Sequence, residues 1–222
     1  MSEPDFPLRD RRHAGRVLAG RLEHLAGRPG LVVLALPRGG VPVGFEVAHA
    51  LHAPLDVFVV RKLGYPGHEE YAMGAIASGD VQVMNLQSGL EVSPEAVARV
   101  AARERTELER RERLYRGDRP APHLAGRTVV VVDDGLATGS TMRAAVRAIR
   151  QQRPGHICVA VPVGARETCE QLAAEADEVV CAFMPTPFRA VGLWYHDFPQ
   201  TSDDEVRALL EAAQLERAPA AP

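Results

Sequence analysis

A valine strand followed by two acids limits most strongly what this chain can fold into. Residues 129–132 are four consecutive valines, which predicts a strand that is buried on both faces of a parallel sheet. Asp133 and Asp134 follow at once, and small or hydroxylated residues occupy 135–141. Beyond them, apolar residues recur at the spacing of one helical face. The stretch therefore predicts a strand, an acidic pair, a loop and a helix.

The composition of this loop suits an anion. Glycines and hydroxyls that lead into a helix direct backbone N–H groups and the positive end of the helix dipole at one point, as a phosphate requires. The two carboxylates would repel a phosphate unless they accept hydrogen bonds from sugar hydroxyls or hold the water shell of Mg²⁺. A sugar phosphate with magnesium is the expected ligand. The alternative is that the acids only cap the helix.

Residues 133–141, DDGLATGST, resemble the signature of type I phosphoribosyltransferases, which use phosphoribosyl pyrophosphate (PRPP), and are nearest to the adenine and xanthine members. The resemblance implies that the acids bind the ribose and that the loop binds the 5′-phosphate. It assigns to PRPP the residues Asp133, Asp134, Ala137, Thr138, Gly139, Ser140 and Thr141, with Mg²⁺ held by the two acids through water. Ser140 stands where a second glycine is common. Ala137 stands where oxopurine enzymes carry an acid, which counts against hypoxanthine or guanine specificity.

A second loop of similar character follows a predicted strand at residues 31–36. Gly39 and Gly40 let backbone amides approach a ligand, and Arg38 offers a charged fork that matches phosphate. Taken alone, this loop is equally consistent with an arginine on the surface. In the resembled family a short loop after an early strand holds the pyrophosphate, which implies that role for Arg38, Gly39 and Gly40.

Two cationic residues directly follow a third predicted strand, which spans residues 55–60. Arg61 and Lys62 are either solvated or neutralise the charge that builds on departing pyrophosphate. In the resembled family a flexible loop near this point closes over the site, which implies a loop at 63–72, before a short hairpin at 74–84. Its candidate residues are Tyr65, His68, Glu69, Glu70 and Tyr71.

The alternation of strands and helices predicts an α/β fold with a doubly wound, mostly parallel sheet and flanking helices. The resemblance implies, in addition, a small C-terminal hood and a flexible loop or hairpin. We expect one domain over 1–222, with a core at 8–182, the hood at 183–200 and a last helix at 202–215. The hood gathers aromatic residues that either stack on a planar base or fill the core. The base-binding candidates are Phe188, Val191, Trp194 and Tyr195.

Charge and composition exclude other classes of partner. The net charge of −3 gives no general attraction to nucleic acid or anionic membrane, and no apolar run reaches membrane-spanning length. Three cysteines without metal-ligand spacing favour a reducing cytoplasm. The resemblance adds the expectation of a homodimer.

The sequence thus predicts a magnesium-dependent phosphoribosyltransferase of purine salvage, which transfers ribose 5-phosphate from PRPP to a purine-like nitrogenous base and releases pyrophosphate. Arg38, Lys62 and Asp134 are the expected catalytic residues. A regulatory protein that binds PRPP or nucleotides without turnover remains the alternative. A phosphohydrolase is disfavoured because it would need a D-x-D pattern, and a receiver domain because it would need an acceptor aspartate at the end of another strand. An ordinary nucleoside triphosphatase is disfavoured because no Walker lysine follows Gly139.

Overall fold

The computed structural model describes residues 8–84 and 92–216 of the chain. The strands are β1 Val32–Ala35, β2 Leu55–Val57, β3 Val60–Tyr65, β4 His68–Ala77, β5 Val81–Met84, β6 Thr128–Val132, β7 His156–Val163 and β8 Glu178–Phe183. The helices are α1 Arg11–Arg21, α2 Gly40–Ala50, α3 Pro94–Arg116, α4 Ser140–Gln151, α5 Arg166–Leu172 and α6 Asp203–Leu215, and short 3-10 helices lie at Glu23–Leu25 and Val191–Trp194.

Five strands form a central parallel sheet in the order β2-β1-β6-β7-β8. The valines of β6 pair with β1 in the register Val32↔Val129 to Ala35↔Val132, so the two predicted ligand loops follow neighbouring strands. β1 and the valines of β6 are buried, as apolar strands covered on both faces must be. The predicted α/β fold with flanking helices is confirmed.

Helices cover both faces of this sheet. One apolar cluster joins the sheet to α1, α2, α3 and α6, with Leu18, Val43 and Leu209 among its members. The other joins it to α4 and α5 through Met142 and Leu172. The apolar residues that recur at helical spacing after the loop are therefore the packing face of α4.

A second sheet, antiparallel and in the order β3-β4-β5, carries Arg61, Lys62 and the predicted hairpin. The hairpin expected at 74–84 is confirmed by the register Gly74↔Met84. The single strand expected at 55–60 is wrong. The Phe58 amide still bonds to β1, but the Val59 amide and carbonyl both bond to Ser78, which moves the chain into the second sheet.

The flexible loop expected at 63–72 is wrong: these residues belong to β3 and β4, which form a hairpin in which Tyr65 pairs with His68 across a turn. The side chains of Glu69, Glu70 and Tyr71 lie outside the described part of the structure.

The segment expected as the hood at 183–200 begins one residue later, because Phe183 belongs to β8; residues 184–200, called the hood from here on, return to the beginning of α1. The Leu8 amide donates to the Trp194 carbonyl at 2.7 Å, and the His196 amide donates to the Leu8 carbonyl at 2.7 Å. The Ser202 hydroxyl then caps α6 by accepting from the Glu205 amide. Within residues 8–84 and 92–216, no helix has the length and apolar character needed to cross a membrane.

Candidate active site

The two predicted loops meet at the carboxyl edge of β1 and β6, where ligands bind in sheets of this kind. A Cβ on Gly39 would collide with the Asp134 carboxylate, and one on Gly40 would lie 2.7 Å from the Val132 carbonyl oxygen. Only glycine allows this approach, so both glycines are required by contact with the acidic loop. The residues predicted to hold pyrophosphate and those predicted to hold ribose are thus brought together.

The acidic pair is partly buried and only partly neutralised. Burial, and then the charge of Asp134, raise the pKa of Asp133 well above its ordinary range. Burial also raises the pKa of Asp134, although Arg11 opposes this with an ion pair of 2.8 Å between Nε and Oδ2. Two carboxylates in such surroundings favour a divalent cation, and their hard oxygen donors fit Mg²⁺.

The loop between β6 and α4 has a fixed shape and exposed hydroxyls. Gly139 precedes α4 with φ of 70°, a conformation that favours glycine, and a Cβ there would lie 2.5 Å from the Thr168 methyl. The Thr168 hydroxyl donates to the Ala137 carbonyl at 2.7 Å and braces the loop from α5. Thr138, Ser140 and Thr141 remain exposed at the N-terminus of α4, where an anion is favoured.

The two adjacent cations of β3 point to opposite sides, as successive residues of a strand do. Lys62 Nζ donates to Ser140 Oγ at 2.5 Å, so this lysine reaches the phosphate loop. Arg61 turns instead to α3, where Nε and Nη2 bond to Glu104 Oε2 at 2.9 and 2.6 Å. The structure brings Lys62 to the site and holds Arg61 in a separate ion pair.

A cavity of about 200 Å³ opens beside the phosphate loop. Lys62, Ser140, Arg143 and Arg147 line it together with the second sheet. A cavity of about 510 Å³ lies against α3, and none of the predicted site residues lines it. Of these two cavities, the one lined by cationic side chains next to Ser140 is therefore the one that adjoins the predicted phosphate loop.

Arg38 directly precedes Gly39, and its side chain, about a third of which is exposed, reaches towards the first residue of α6. Its Nη1 is 3.9 Å from Asp203 Oδ1, the atom that also accepts from the Tyr115 hydroxyl at 2.6 Å. Burial and the bond to Asp203 raise the pKa of Tyr115 to about 12, so this hydroxyl keeps its proton. The Arg38 guanidinium therefore forms only a loose ion pair with Asp203, and part of its surface is open to solvent.

The hood packs directly onto the acidic loop. A Cβ on Gly135 would collide with the methyl groups of Val191, and the Tyr195 hydroxyl donates to the Asp134 carbonyl at 2.5 Å. Phe188 and Trp194 stack with their rings 6.5 Å apart and remain partly exposed. Tyr195 is buried, and burial raises its pKa. Three of the four base-binding candidates thus present partly exposed surface, while Tyr195 fills the core beneath them.

Sequence reasoning missed two residues of this site, Arg11 and Thr168. Arg11 stands among several arginines of α1 whose spacing predicts only a solvated face, and Thr168 is one threonine in a short helix. Both act across long sequence separations, 123 residues for Arg11 to Asp134 and 31 for Thr168 to Ala137. Periodicity and local motifs carry no signal for such contacts.

Comparison with known proteins gives a consistent result. The profile described as phosphoribosyl transferase domain matches residues 10–183. Two Mycobacterium tuberculosis proteins, from strains CDC 1551 / Oshkosh and ATCC 25618 / H37Rv and provisionally named as phosphoribosyl transferases, are each 47% identical over 213 residues. The match covers 95% of this chain and 48% of each relative, so the chain spans about half the length of these curated relatives.

A solved structure is also similar over nearly its whole length. The crystal structure of TT1426 from Thermus thermophilus superposes with a TM-score of 0.82 at 46% identity, and the match covers 91% of this chain and 97% of that one. A ribose-phosphate pyrophosphokinase from Methanopyrus kandleri is 30% identical over 181 residues, which cover 69% of this chain and 62% of the relative.

Proposed function

The chain belongs to the phosphoribosyl transferase domain family, and from that premise we propose that it transfers ribose 5-phosphate from PRPP to a purine-like nitrogenous base and releases pyrophosphate. The observation that supports this most is the contact between Gly39 and the Asp134 carboxylate, which puts an arginine and glycine loop against an acidic pair. A ligand that spans both must carry an anion at one end and hydroxyls at the other.

Each part of PRPP has a matching group in the proposal. Asp133 and Asp134 accept hydrogen bonds from the ribose hydroxyls, and the exposed hydroxyls and amides at the N-terminus of α4 bind the 5′-phosphate. Lys62, bonded to Ser140, adds positive charge at that phosphate. Arg38 and the amides of Gly39 and Gly40 bind the pyrophosphate.

Magnesium is part of the proposal because the donor set fits it. Asp133 and Asp134 would hold the ion through its water shell, and the bound ion would offset charge on the pyrophosphate. The residues of this chain contribute by placement: the carboxylates fix the ribose, Arg38 faces the leaving group, and the hood limits water around the anomeric carbon. Phe188 and Trp194 offer rings on which a planar base stacks.

A PRPP-binding regulator without turnover is retained as the second candidate. The ion pair of Arg61 with Glu104 supports it, because this pair leaves the pyrophosphate side with less positive charge than the sequence predicts. The cytoplasmic location, the homodimer and the link to purine salvage stay predictions.

The decisive experiment screens free purine and pyrimidine bases for pyrophosphate release from PRPP in the presence of Mg²⁺. Release with one base supports the enzyme, whereas binding of PRPP without release across the panel supports the regulator. The double variant Asp133→Asn/Asp134→Asn should lose magnesium-dependent PRPP binding in calorimetry. Asp177→Asn/Glu178→Gln is the matched control, because it neutralises adjacent acids at the opposite edge of the same sheet. Unchanged PRPP affinity in the first double variant would refute the assignment.

A further inference from the structure

Arg11, the first residue of α1, connects the acidic pair to the end of the hood. Its Nε lies 2.8 Å from Asp134 Oδ2, its Nη1 donates to the Pro199 carbonyl at 2.6 Å, and its Cζ lies 3.8 Å from the centre of the Phe198 ring. Its side chain is only 11% exposed. One edge of the guanidinium therefore contacts the proposed ribose site. A second edge and one face of the same group contact the hood.

The next residue shows how unusual this arrangement is for the arginines of α1. Arg12 is 52% exposed and pairs with Glu46 on α2, while its guanidinium lies 4.9 Å from the centre of the Phe45 ring. It has the same kinds of partner, an acid and an aromatic ring, but both belong to α2. Arg12 holds two helices together, whereas Arg11 joins groups that a ligand would touch.

Asp134 is the point where these contacts converge. Its Oδ2 accepts from Arg11, and its backbone carbonyl accepts from Tyr195 of the hood at 2.5 Å. A carboxylate has two oxygens with about four acceptor positions. Arg11 therefore fixes the orientation of the carboxylate while acceptor positions remain for ribose hydroxyls. A shift of this carboxylate on ligand binding must move the guanidinium, and with it Pro199 and Phe198.

We propose that Arg11 is a positioning residue that aligns Asp134 for the ribose and transmits occupancy of that site to the hood. The inference rests on the proposed function. A guanidinium suits the task because its planar fork bonds to two acceptors while its face covers an aromatic ring, which an ammonium group does not reproduce. Lysine at this position should keep the charge near Asp134 and lose the connection to the hood.

The only tryptophan of the chain, Trp194, lies in the hood and reports on it directly. We would titrate the wild type, Arg11→Lys, Arg11→Met and Arg12→Met with PRPP and Mg²⁺, and record both calorimetric affinity and tryptophan emission. In the wild type, PRPP should change the emission. Arg11→Met should bind PRPP on the order of tenfold more weakly, the loss of one charge-assisted hydrogen bond, and should show no change in emission.

Arg11→Lys should lose less PRPP affinity than Arg11→Met and still show no emission change, and Arg12→Met should match the wild type in both readouts. Phe198→Leu gives an independent route, because it removes the ring under the guanidinium and keeps every residue of α1 and of the acidic pair. It should bind PRPP and lose the emission response. Circular dichroism verifies that each variant is folded.

The proposal is overturned if either Arg11 variant shows the emission change of the wild type at saturating PRPP, or if Arg11→Met binds PRPP as tightly as the wild type. Wild-type binding without any emission change also refutes the coupling, while leaving the proposed function intact. Failure of the wild type to bind PRPP refutes the proposed function itself.

Discussion

Replacing Asp133 by Asn should make the metal-free protein more stable, by an amount that grows with pH. Burial, followed by the charge of Asp134, raises the pKa of Asp133 well above its ordinary range. Asn retains the one hydrogen bond that matters locally, since its amide oxygen can accept from the Asp134 amide as Asp133 Oδ1 does at 2.9 Å. The substitution therefore removes the ionisable group and keeps the local geometry.

The sign follows from proton linkage. Below the pKa of the unfolded chain, about 3.9, Asp133 is protonated in both states and costs nothing. Above it the unfolded chain loses the proton while the folded protein retains it, so folding stability falls as pH rises, by about 1.4 kcal/mol per pH unit within the window. The window closes above the raised pKa of the folded state. Asn has no such dependence, so the stability advantage of the variant increases from pH 5 to pH 8.

Because the advantage accumulates at about 1.4 kcal/mol per pH unit from about pH 3.9, we expect Asp133→Asn to exceed the wild type by about 1.5 kcal/mol at pH 5 and by more at pH 8. For a domain of this size each kcal/mol corresponds to a rise in Tm of about 2–4 °C. Urea unfolding followed by circular dichroism, in buffer with a chelator at pH 5 and pH 8, measures both values. A variant that is no more stable at pH 8, or whose advantage is the same at both pH values, would refute the reasoning.

Asp177→Asn is the control of opposite sign. Burial alone would raise the pKa of Asp177, but hydrogen bonds from Arg150 and from the Ile157 amide hold it below its ordinary value. Its stabilising contribution is present above the pKa of the unfolded chain and is lost only as the pH falls through the lower folded value. This variant should therefore be less stable than the wild type at both pH 5 and pH 8.

Three further outcomes follow from contacts in the site. Tyr195→Phe leaves the Asp134 carbonyl without its 2.5 Å partner and should lower the free energy of urea unfolding by about 1–3 kcal/mol; an unchanged midpoint would contradict this. Gly39→Ala should displace the Asp134 carboxylate and weaken PRPP binding in calorimetry, whereas Gly20→Ala, with nothing within 4 Å of the added methyl, should stabilise α1 by about 0.5–1 kcal/mol. Lys62→Met should weaken the binding of ribose 5-phosphate, measured by calorimetry, and equal affinity would remove this lysine from the phosphate site.

The sequence predicted the two halves of the site because each is a local pattern. The valines of β6 indicate a parallel strand, and the carboxyl ends of parallel strands lie at one edge, so the loops around Gly39 and Asp134 were expected at the same edge of the sheet. That their strands are neighbours is known only from the structure. Local patterns also predicted the helix α4 and its packing face. Such patterns do not indicate which distant helix or strand a given side chain will contact.

Arg61 and Lys62 illustrate that limit. The sequence gives them the same charge and adjacent positions, but the alternation of a strand sends one to Glu104 on α3 and the other to Ser140 on α4. The prediction could not separate them, because it placed them after the end of a strand at 55–60, whereas they lie within β3 of the second sheet. Arg11 was missed for a related reason, since its partner lies 123 residues away.

The bond between Arg11 and the Pro199 carbonyl has a consequence for the order in which the molecule is made. Its partners are 188 positions apart, so it forms only after nearly all of the described chain has been synthesised. At about 5–20 residues per second, the second partner emerges roughly 10–40 s after the first. Both loops and the acidic pair are complete long before that. A nascent chain that stops short of Pro199 therefore carries the half of the site that faces ribose and phosphate, while the end of the hood has still to be added.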